Sequence, residues 1–171
     1  HLSLPSDLLE SISPLNMPLP TSEDFMVNSK VAKSSDIATI LSVLSAAKKP
    51  LIIVGPMMLS KVNRKQLVLL EESLGVPVIG MESPRGIGDP SLGAFAEVLA
   101  ESDCILLLGK KLDFTLKFGN TPGIKQECNF LQIEPEETEI ERAKKMLGNR
   151  LQVACVCDTL SAIHAILSAN P

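Results

Sequence analysis

Tryptophan and tyrosine are absent from this chain of 171 residues, and its only aromatic side chains are five phenylalanines. Single-stranded nucleic acids bind to aromatic platforms on which successive bases stack, and a few scattered rings do not form such a platform. Sixteen lysines and arginines stand against twenty acidic residues, so the formal net charge is −4. Because a nucleic-acid-binding surface needs an excess of basic groups, we predict no nucleic-acid partner.

Histidine is also scarce, and the four cysteines form no C-x-x-C pair. His1 and His164 lie at no zinc-like spacing from a cysteine, so we predict no metal site. Cys155 and Cys157 alternate along a β-rich run and should point to the same face of a strand. A metal or redox pair there stays open, but two buried free thiols are the favoured interpretation. Free thiols favour a reducing compartment, and we predict a cytoplasmic protein.

Long hydrophobic runs are missing as well, although hydrophobic residues make up 45% of the chain. No run approaches the roughly 20 apolar residues that cross a bilayer, and no signal-peptide pattern opens the chain. We therefore predict no membrane partner. The chain begins with His1 rather than Met, which indicates a fragment or a processed product.

The chain divides into two parts by composition. Residues 1–35 are rich in proline and serine and show no lasting helical or alternating period, which is typical of an extended interdomain linker. Residues 36–171 alternate between apolar runs and amphipathic segments. We assign this second part to a single α/β domain.

Apolar runs without polar alternation recur along residues 36–171. A strand of this kind is buried on both faces, which predicts a parallel sheet covered by helices. Amphipathic segments lie between most of the runs; we expect Asp36 to cap the first helix and Gly75 to end the second. The predicted fold is α/β, a doubly wound, Rossmann-like parallel sheet of five to six strands with helices on both faces. The predicted strands are 51–55, 76–79, 104–109, 130–133 and 151–156.

Ligands of such sheets bind beyond the carboxyl ends of the strands. The first strand leads into Gly55-Pro56-Met57-Met58, which keeps only the first glycine of the dinucleotide-binding pattern G-x-G-x-x-G. Pro56 removes a backbone donor, and the methionines fill space where a phosphate would approach. This turn disfavours an ordinary pyridine-nucleotide dehydrogenase.

Charged residues follow the later strands. Lys110 and Lys111 are placed to meet a phosphate, but two surface lysines on a solvated loop explain them equally well. Glu134 is placed to accept hydrogen bonds from a ribose diol, or it is the acid of the following helix's first turn. Asp158 is interpreted chiefly as a helix cap. Because no nucleophile or carboxylate pair is placed for catalysis, we assign no catalytic residue.

Several short segments also occur in a characteristic order. They are His1-Leu2-Ser3-Leu4-Pro5-Ser6-Asp7, Lys49-Pro50-Leu51-Ile52-Ile53-Val54-Gly55, Val76-Pro77-Val78-Ile79 with Asp89-Pro90-Ser91-Leu92-Gly93, Ser102-Asp103-Cys104 through Gly109-Lys110-Lys111-Leu112-Asp113-Phe114, Phe130-Leu131-Gln132-Ile133-Glu134-Pro135 and Val156-Cys157-Asp158-Thr159. Together they resemble the linker and central domain of thiamine-diphosphate-dependent enzymes. The resemblance is to the acetolactate-synthase-like enzymes and to the oxalyl-CoA decarboxylase and 2-hydroxyacyl-CoA lyase branch.

The resemblance implies a parent enzyme with three α/β domains. Thiamine diphosphate and Mg²⁺ would lie between its first and third domains, so this fragment would bind neither and would not be catalytic alone. Its implied partners are the N- and C-terminal domains of the parent and other copies in a homo-oligomer. The central domain itself would be Rossmann-like, similar to deoxyhypusine-synthase-like NAD/FAD-binding domains.

The resemblance also implies a nucleotide site. It assigns Gly55 to the phosphate turn, Lys111 to the pyrophosphate, Glu134 to the ribose, and Asp158 with Thr159 to the adenine. The implied ligand is ADP or CoA, whereas Pro56, Met57 and the lysine in place of an arginine argue against FAD. An empty central domain is an alternative.

Two functional hypotheses follow. The first is the central, nucleotide-binding-like domain of a thiamine-diphosphate-dependent lyase, decarboxylase or carboligase that acts on 2-oxo acids or 2-hydroxyacyl-CoA. The alternative is a free-standing ADP- or CoA-binding accessory subunit of an acyl-transfer complex. The proline-rich start favours the first, because a linker from a preceding domain has no purpose in an independent subunit.

Overall fold

The computed structural model describes residues 3–12, 18–26 and 29–169. Its centre is a sheet of five parallel strands in the order β2-β1-β3-β4-β5. The strands are β1 (Pro50–Val54), β2 (Val78–Gly80), β3 (Cys104–Leu108), β4 (Asn129–Ile133) and β5 (Leu151–Cys155). The predicted class of fold, a doubly wound parallel sheet, is confirmed.

Helices connect the strands and cover both faces of the sheet. They are α1 (Ser6–Leu9), α2 (Ser34–Ala46), α3 (Arg64–Leu74), α4 (Phe95–Glu101), α5 (Glu137–Leu147) and α6 (Thr159–Ala169). The described residues also form six 3-10 helices: Ser22–Phe25, Pro56–Leu59, Gly86–Gly88, Pro90–Leu92, Phe114–Gly119 and Gly148–Arg150. Within the described ranges no helix is long and apolar enough to cross a membrane.

The core consists of two apolar layers, one on each face of the sheet. Successive side chains of a strand point to opposite faces, so Ile52 and Val54 enter one layer while Leu51 and Ile53 enter the other. Helices α2, α3 and α6 cover the first layer, and α4 and α5 cover the second. This double burial explains why the strands carry apolar residues at consecutive positions.

The sequence predicts the residue at the start of α2 and the residue at the end of α3. The structure differs from the first prediction and agrees with the second. Helix α2 begins at Ser34 with Lys33 at the cap position, so the prediction that Asp36 caps it is wrong. Asp36 lies in the first turn instead, where a negative charge stabilises the helix dipole. Gly75 ends α3 in the left-handed conformation, as predicted (φ 62°).

The predicted linker lies largely apart from the core. Of its described parts, residues 3–12 and 18–26 are exposed, and their two short helices bury no side chain. Residues 29–35 approach the domain, where Ala32 packs against the core. Residues 1–2, 13–17 and 27–28 of the predicted linker and residues 170–171 of the predicted domain lie outside the described residues. The predicted domain begins at residue 36, two residues after the first residue of α2, Ser34. This boundary stays a prediction.

Candidate functional site

A cavity of about 500 Å³ opens at the carboxyl edge of the sheet. The strand order reverses between β1 and β3, and doubly wound sheets bind ligands at this kind of crevice. The cavity is lined by the segments that follow β1, β2, β3 and β4 and by the first residue of α6. Three of the five predicted binding residues, Lys111, Glu134 and Thr159, are brought together in its wall.

Gly55 lies behind this wall rather than in it. Its backbone N–H donates to the Leu108 carbonyl, and a β-carbon at Gly55 would lie 1.8 Å from the Gly109 carbonyl oxygen. Gly109 has a left-handed φ of 61°, and a β-carbon there would lie 2.5 Å from Thr159 Oγ1. The glycines therefore let the turns after β1 and β3 and the start of α6 pack at close range.

Lys111 is engaged by two acidic side chains. Its Nζ lies 3.0 Å from Glu136 Oε2 and 3.5 Å from Glu139 Oε1. The hydrogen bond with Glu136 raises the pKa of Lys111, so its ammonium group stays charged. A phosphate at this lysine would have to compete with carboxylates that are already in place.

Lys110 is bonded within the turn that follows β3. It is buried, 5% exposed, and its Nζ donates to the Lys111 carbonyl at 3.0 Å and to Asp113 Oδ2 at 2.9 Å. Burial opposes ionisation of Asp113, but hydrogen bonds from Thr115 and Lys110 hold the pKa of this carboxyl below its usual value. Of the two lysines proposed for a phosphate, this one is used to fix the turn after β3.

Glu134 is the most unusual group in the cavity wall. It is 3% exposed, and burial raises the pKa of its carboxyl. The backbone N–H of Glu136 opposes this rise in the pKa, but Oε2 has no hydrogen-bond partner. Gln132, two residues earlier on β4 and on the same face of the strand, has no partner for Nε2 or Oε1. In the described part of the chain, all buried side-chain polar atoms that lack a partner belong to these two residues.

Asp158 faces the linker. Its Oδ2 accepts hydrogen bonds from Ser29 Oγ at 2.6 Å and from the Lys30 backbone N–H at 2.8 Å, and its own N–H donates to the Lys30 carbonyl. These contacts lower the pKa of Asp158. Asp158 lies directly before α6, at the cap position that the sequence predicts, and the hydrogen bonds of its Oδ2 run to the linker. Lys30 Nζ also donates to the carbonyl of Pro135, which lines the cavity.

Sequence analysis did not assign Met57 and Phe114 as ligand contacts. Both line the cavity, and they are 83% and 64% exposed respectively. The sequence pattern predicts Met57 as an obstruction to phosphate and contains Phe114 only as the last residue of a motif. Their positions just beyond the carboxyl ends of β1 and β3 are the signal that would have found them.

The parallel sheet, its two helical layers and the cavity at its carboxyl edge define a Rossmann-like α/β domain. A family model described as "Thiamine pyrophosphate enzyme, central domain" matches residues 37–166. The chain belongs to this family.

The chain is also similar to curated lyases and to a curated decarboxylase. The chain is 29% identical over 120 residues to a 2-hydroxyacyl-CoA lyase of Arabidopsis thaliana, a match that covers 67% of this chain and 21% of that protein. It is 28% identical over 145 residues to human 2-hydroxyacyl-CoA lyase 1, with 80% and 23% covered. It is 29% identical over 138 residues to oxalyl-CoA decarboxylase of Escherichia coli, with 77% and 23% covered. The chain thus spans less than a quarter of the length of these relatives.

A solved structure shows the same fold. The thiamine diphosphate-dependent 4-hydroxybenzoylformate decarboxylase of Rhodococcus jostii superposes with a TM-score of 0.60 at 18% identity, covering 85% of this chain and 29% of that one. The family name implies thiamine diphosphate, usually with magnesium. The described residues include no group of three His, Cys, Asp or Glu side chains that could hold a metal ion.

Proposed function

We propose that this chain is the central domain of a thiamine-diphosphate-dependent lyase, decarboxylase or carboligase that acts on 2-oxo acids or 2-hydroxyacyl-CoA. Thiamine diphosphate and Mg²⁺ would be held by the N- and C-terminal domains of that cytoplasmic, homo-oligomeric parent, and residues 1–35 would connect this domain to the preceding one. The family match over residues 37–166 supports this proposal, as does the kinship with 2-hydroxyacyl-CoA lyases and oxalyl-CoA decarboxylase.

The domain's own contribution would be a nucleotide site for ADP or CoA in the cavity at the carboxyl edge. The observation that carries this part is the buried carboxylate of Glu134, which lines the cavity with one oxygen unpartnered. An unpartnered buried acceptor costs about 1–3 kcal/mol, and a ligand hydroxyl would remove that cost. Thr159 and Lys111 lie in the same wall and offer a hydroxyl and an ammonium group to the rest of the ligand.

Isothermal titration calorimetry of the chain with ADP, CoA and FAD tests this proposal. We expect saturable binding of ADP or CoA that Glu134→Ala weakens at least about tenfold, because truncation removes the charged acceptor. The matched control is Glu137→Ala, an exposed glutamate of α5 outside the cavity. Absence of binding by all three compounds would contradict the nucleotide site.

A second assay addresses the catalytic part. The chain, supplied with thiamine diphosphate, Mg²⁺ and a 2-hydroxyacyl-CoA, should release no aldehyde, because the proposal assigns the cofactor and the metal ion to the N- and C-terminal domains. Turnover by the purified chain alone would contradict its assignment as a non-catalytic central domain.

A further inference from the structure

We infer that Cys155 and Cys157 form a reversible disulfide, and that its formation is coupled to release of the linker from the domain. The part of the linker concerned is residues 29–33, directly before α2, which we call the strap. Sequence analysis leaves a redox pair open at these two cysteines, and the structure adds the contacts that support it. The inference does not depend on the proposed nucleotide site.

The two thiols lie in contact within the first core layer. The Sγ atoms of Cys155 and Cys157 are 3.4 Å apart, and the two residues are 4% and 0% exposed respectively. A sulfenic acid formed on one cysteine condenses with a neighbouring thiol to a disulfide. Because each sulfur is the immediate neighbour of the other, oxidation of either one leads to a bond between them.

The strap and the first turn of α2 lie against this pair. Ala32 packs on the core layer that contains both cysteines. Burial raises the pKa of the Cys155 thiol, and the Asp36 side chain and the Lys33 backbone also act on it. Burial raises the pKa of the Cys157 thiol as well. Since the thiolate is the reactive form, the pair is protected from oxidation while the strap is in place.

The strap is held by the residue that follows Cys157. Asp158 Oδ2 accepts hydrogen bonds from Ser29 Oγ at 2.6 Å and from the Lys30 N–H at 2.8 Å, and the Asp158 N–H donates to the Lys30 carbonyl at 2.8 Å. Lys30 Nζ donates to the Pro135 carbonyl at 3.0 Å. The bonds to the Asp158 side chain and to Pro135 are exposed, and exposed hydrogen bonds of this kind open locally at low free energy. Opening of the strap therefore uncovers the two thiols.

The oxidant that we propose is hydrogen peroxide. The Cys155 thiolate, which belongs to the more exposed cysteine of the pair, attacks a peroxide oxygen and breaks the O–O bond. This step gives a sulfenic acid and releases hydroxide, which takes up the proton that the thiol lost. The Cys157 thiolate then attacks the sulfenic sulfur, the S–S bond forms, and a second hydroxide leaves and is protonated. Two thiols thus lose two electrons and two protons, and one peroxide becomes two water molecules.

The disulfide would displace the residue that holds the strap. In extended backbone the Cα atoms of residues i and i+2 are about 6.6 Å apart, near the upper limit of roughly 6.8 Å that a disulfide spans. Bond formation therefore draws the chain around Val156 together and moves Asp158 away from the strap. A strained disulfide of this kind is also readily reduced, which makes the change reversible. By linkage, release of the strap favours oxidation as much as oxidation favours release.

Treatment of the chain with hydrogen peroxide, followed by alkylation with N-ethylmaleimide and mass spectrometry of tryptic peptides, tests the inference. No lysine or arginine follows Arg150, so Cys155 and Cys157 lie on one peptide, residues 151–171. We expect this peptide to be recovered without alkylation and lighter by two hydrogen atoms. Dithiothreitol should restore both thiols.

Asp158→Ala should accelerate this oxidation about fivefold. The factor equals the one expected for tryptic cleavage after Lys30 in the same variant, because both reactions need the open strap. Glu97→Ala, a change at an exposed position of α4, should have no effect. Cys104 and Cys128 are internal controls, since they are buried at the amino edge of the sheet and lie on separate tryptic peptides. Their alkylation should be the same in wild type and variant.

The converse effect is measured on the wild-type sequence, so it does not require a folded Asp158 variant. Brief native digestion of the oxidised chain should cleave after Lys30 about fivefold faster than digestion of the reduced chain, and dithiothreitol should abolish the difference. The matched control is Cys155→Ala, which cannot form the bond. Peroxide should leave its cleavage rate unchanged.

Three results would overturn the inference. The first is that peroxide leaves Cys155 and Cys157 as thiols or converts either one to a sulfinic acid without a disulfide. The second is that the disulfide forms but the oxidised and reduced chains are cleaved after Lys30 at the same rate. The third is that Asp158→Ala speeds cleavage but not oxidation. Because no step uses ADP or CoA, failure of the nucleotide site would leave this inference standing.

Discussion

The carbonyl oxygen of Gly109 lies where the side chain of any other residue at Gly55 would begin, 1.8 Å from the position of a β-carbon there. The two glycines follow β1 and β3, the central pair of strands at which the strand order reverses. Their close approach brings the backbone of both turns together behind the cavity. Glycine at position 55 is therefore required by the packing of the two turns.

Gly55→Ala should destabilise the domain by about 3 kcal/mol, because backbone that cannot move aside meets the new methyl group. Urea denaturation followed by circular dichroism measures the change. Gly88→Ala is the matched control, since a β-carbon at Gly88 meets nothing within 4 Å. Equal midpoints for the two variants would contradict the close packing at Gly55.

Lys110→Met should destabilise the domain by about 2 kcal/mol, because it removes the buried cation that pairs with Asp113. The remaining carboxylate keeps its hydrogen bonds from Thr115, which limits the loss. The same denaturation experiment on Lys145→Met should show almost no change, since Lys145 is exposed on α5. An unaffected Lys110→Met variant would show that the buried pair contributes no net stability.

Asp158→Ala should free the end of the linker from the domain. The variant loses the acceptor for Ser29 Oγ and for the Lys30 N–H, so trypsin should cleave after Lys30 about fivefold faster. Mass spectrometry of timed digests measures the rate at this bond. Glu97→Ala, a change at an exposed position of α4, serves as the control. Identical cleavage rates for both variants would show that Asp158 does not hold the end of the linker on the domain.

Glu134→Gln should stabilise the ligand-free domain in a pH-dependent way. Burial raises the pKa of Glu134 above that of the unfolded chain, so this group favours folding below the unfolded pKa of about 4.3 and loses that contribution as the pH rises through the raised pKa. Glutamine does not ionise. The free energy of unfolding of the variant should therefore increase relative to that of the wild type as the pH rises, by about 1 kcal/mol at neutral pH.

Thermal unfolding of wild type and Glu134→Gln between about pH 4 and pH 8 measures this gain. A difference that stays constant across the range would show that Glu134 has an ordinary pKa. Increased stability combined with weaker binding of ADP or CoA would identify Glu134 as a residue that favours ligand binding and lowers the stability of the fold.

The strands and most helices could be predicted because their signals are local. The consecutive apolar residues Leu51 to Val54 indicate a strand buried on both faces, and Gly75 follows a helical period at the position that favours the left-handed conformation. The prediction of a cap at Asp36 is wrong because the cap position is Lys33, nearly one turn earlier, a difference that side-chain chemistry alone does not resolve.

The candidate site was predicted only in part. Lys111, Glu134 and Thr159 could be placed together because parallel strands end at one edge of the sheet. The partners of these residues could not be predicted, since the pairing of Lys111 with Glu136 depends on how α5 packs beside β4. The partners of Asp158 could not be predicted either. The sequence assigns Asp158 to a helix cap and to an adenine contact, whereas in the structure its carboxylate accepts hydrogen bonds from the linker.

The sequence by itself determined the class of fold, the edge of the sheet at which a ligand would bind and the family, because each depends on periodicity and on motifs read along the chain. Only the tertiary structure decided which of the charged residues are free to contact a ligand and which are paired within the protein. Ser29 and Asp158 are 129 positions apart, and the lysines after β3 meet their acids through turns and helix packing. Charges at this edge interact over a few ångströms in space, and that distance is set by the packing of elements rather than by their order.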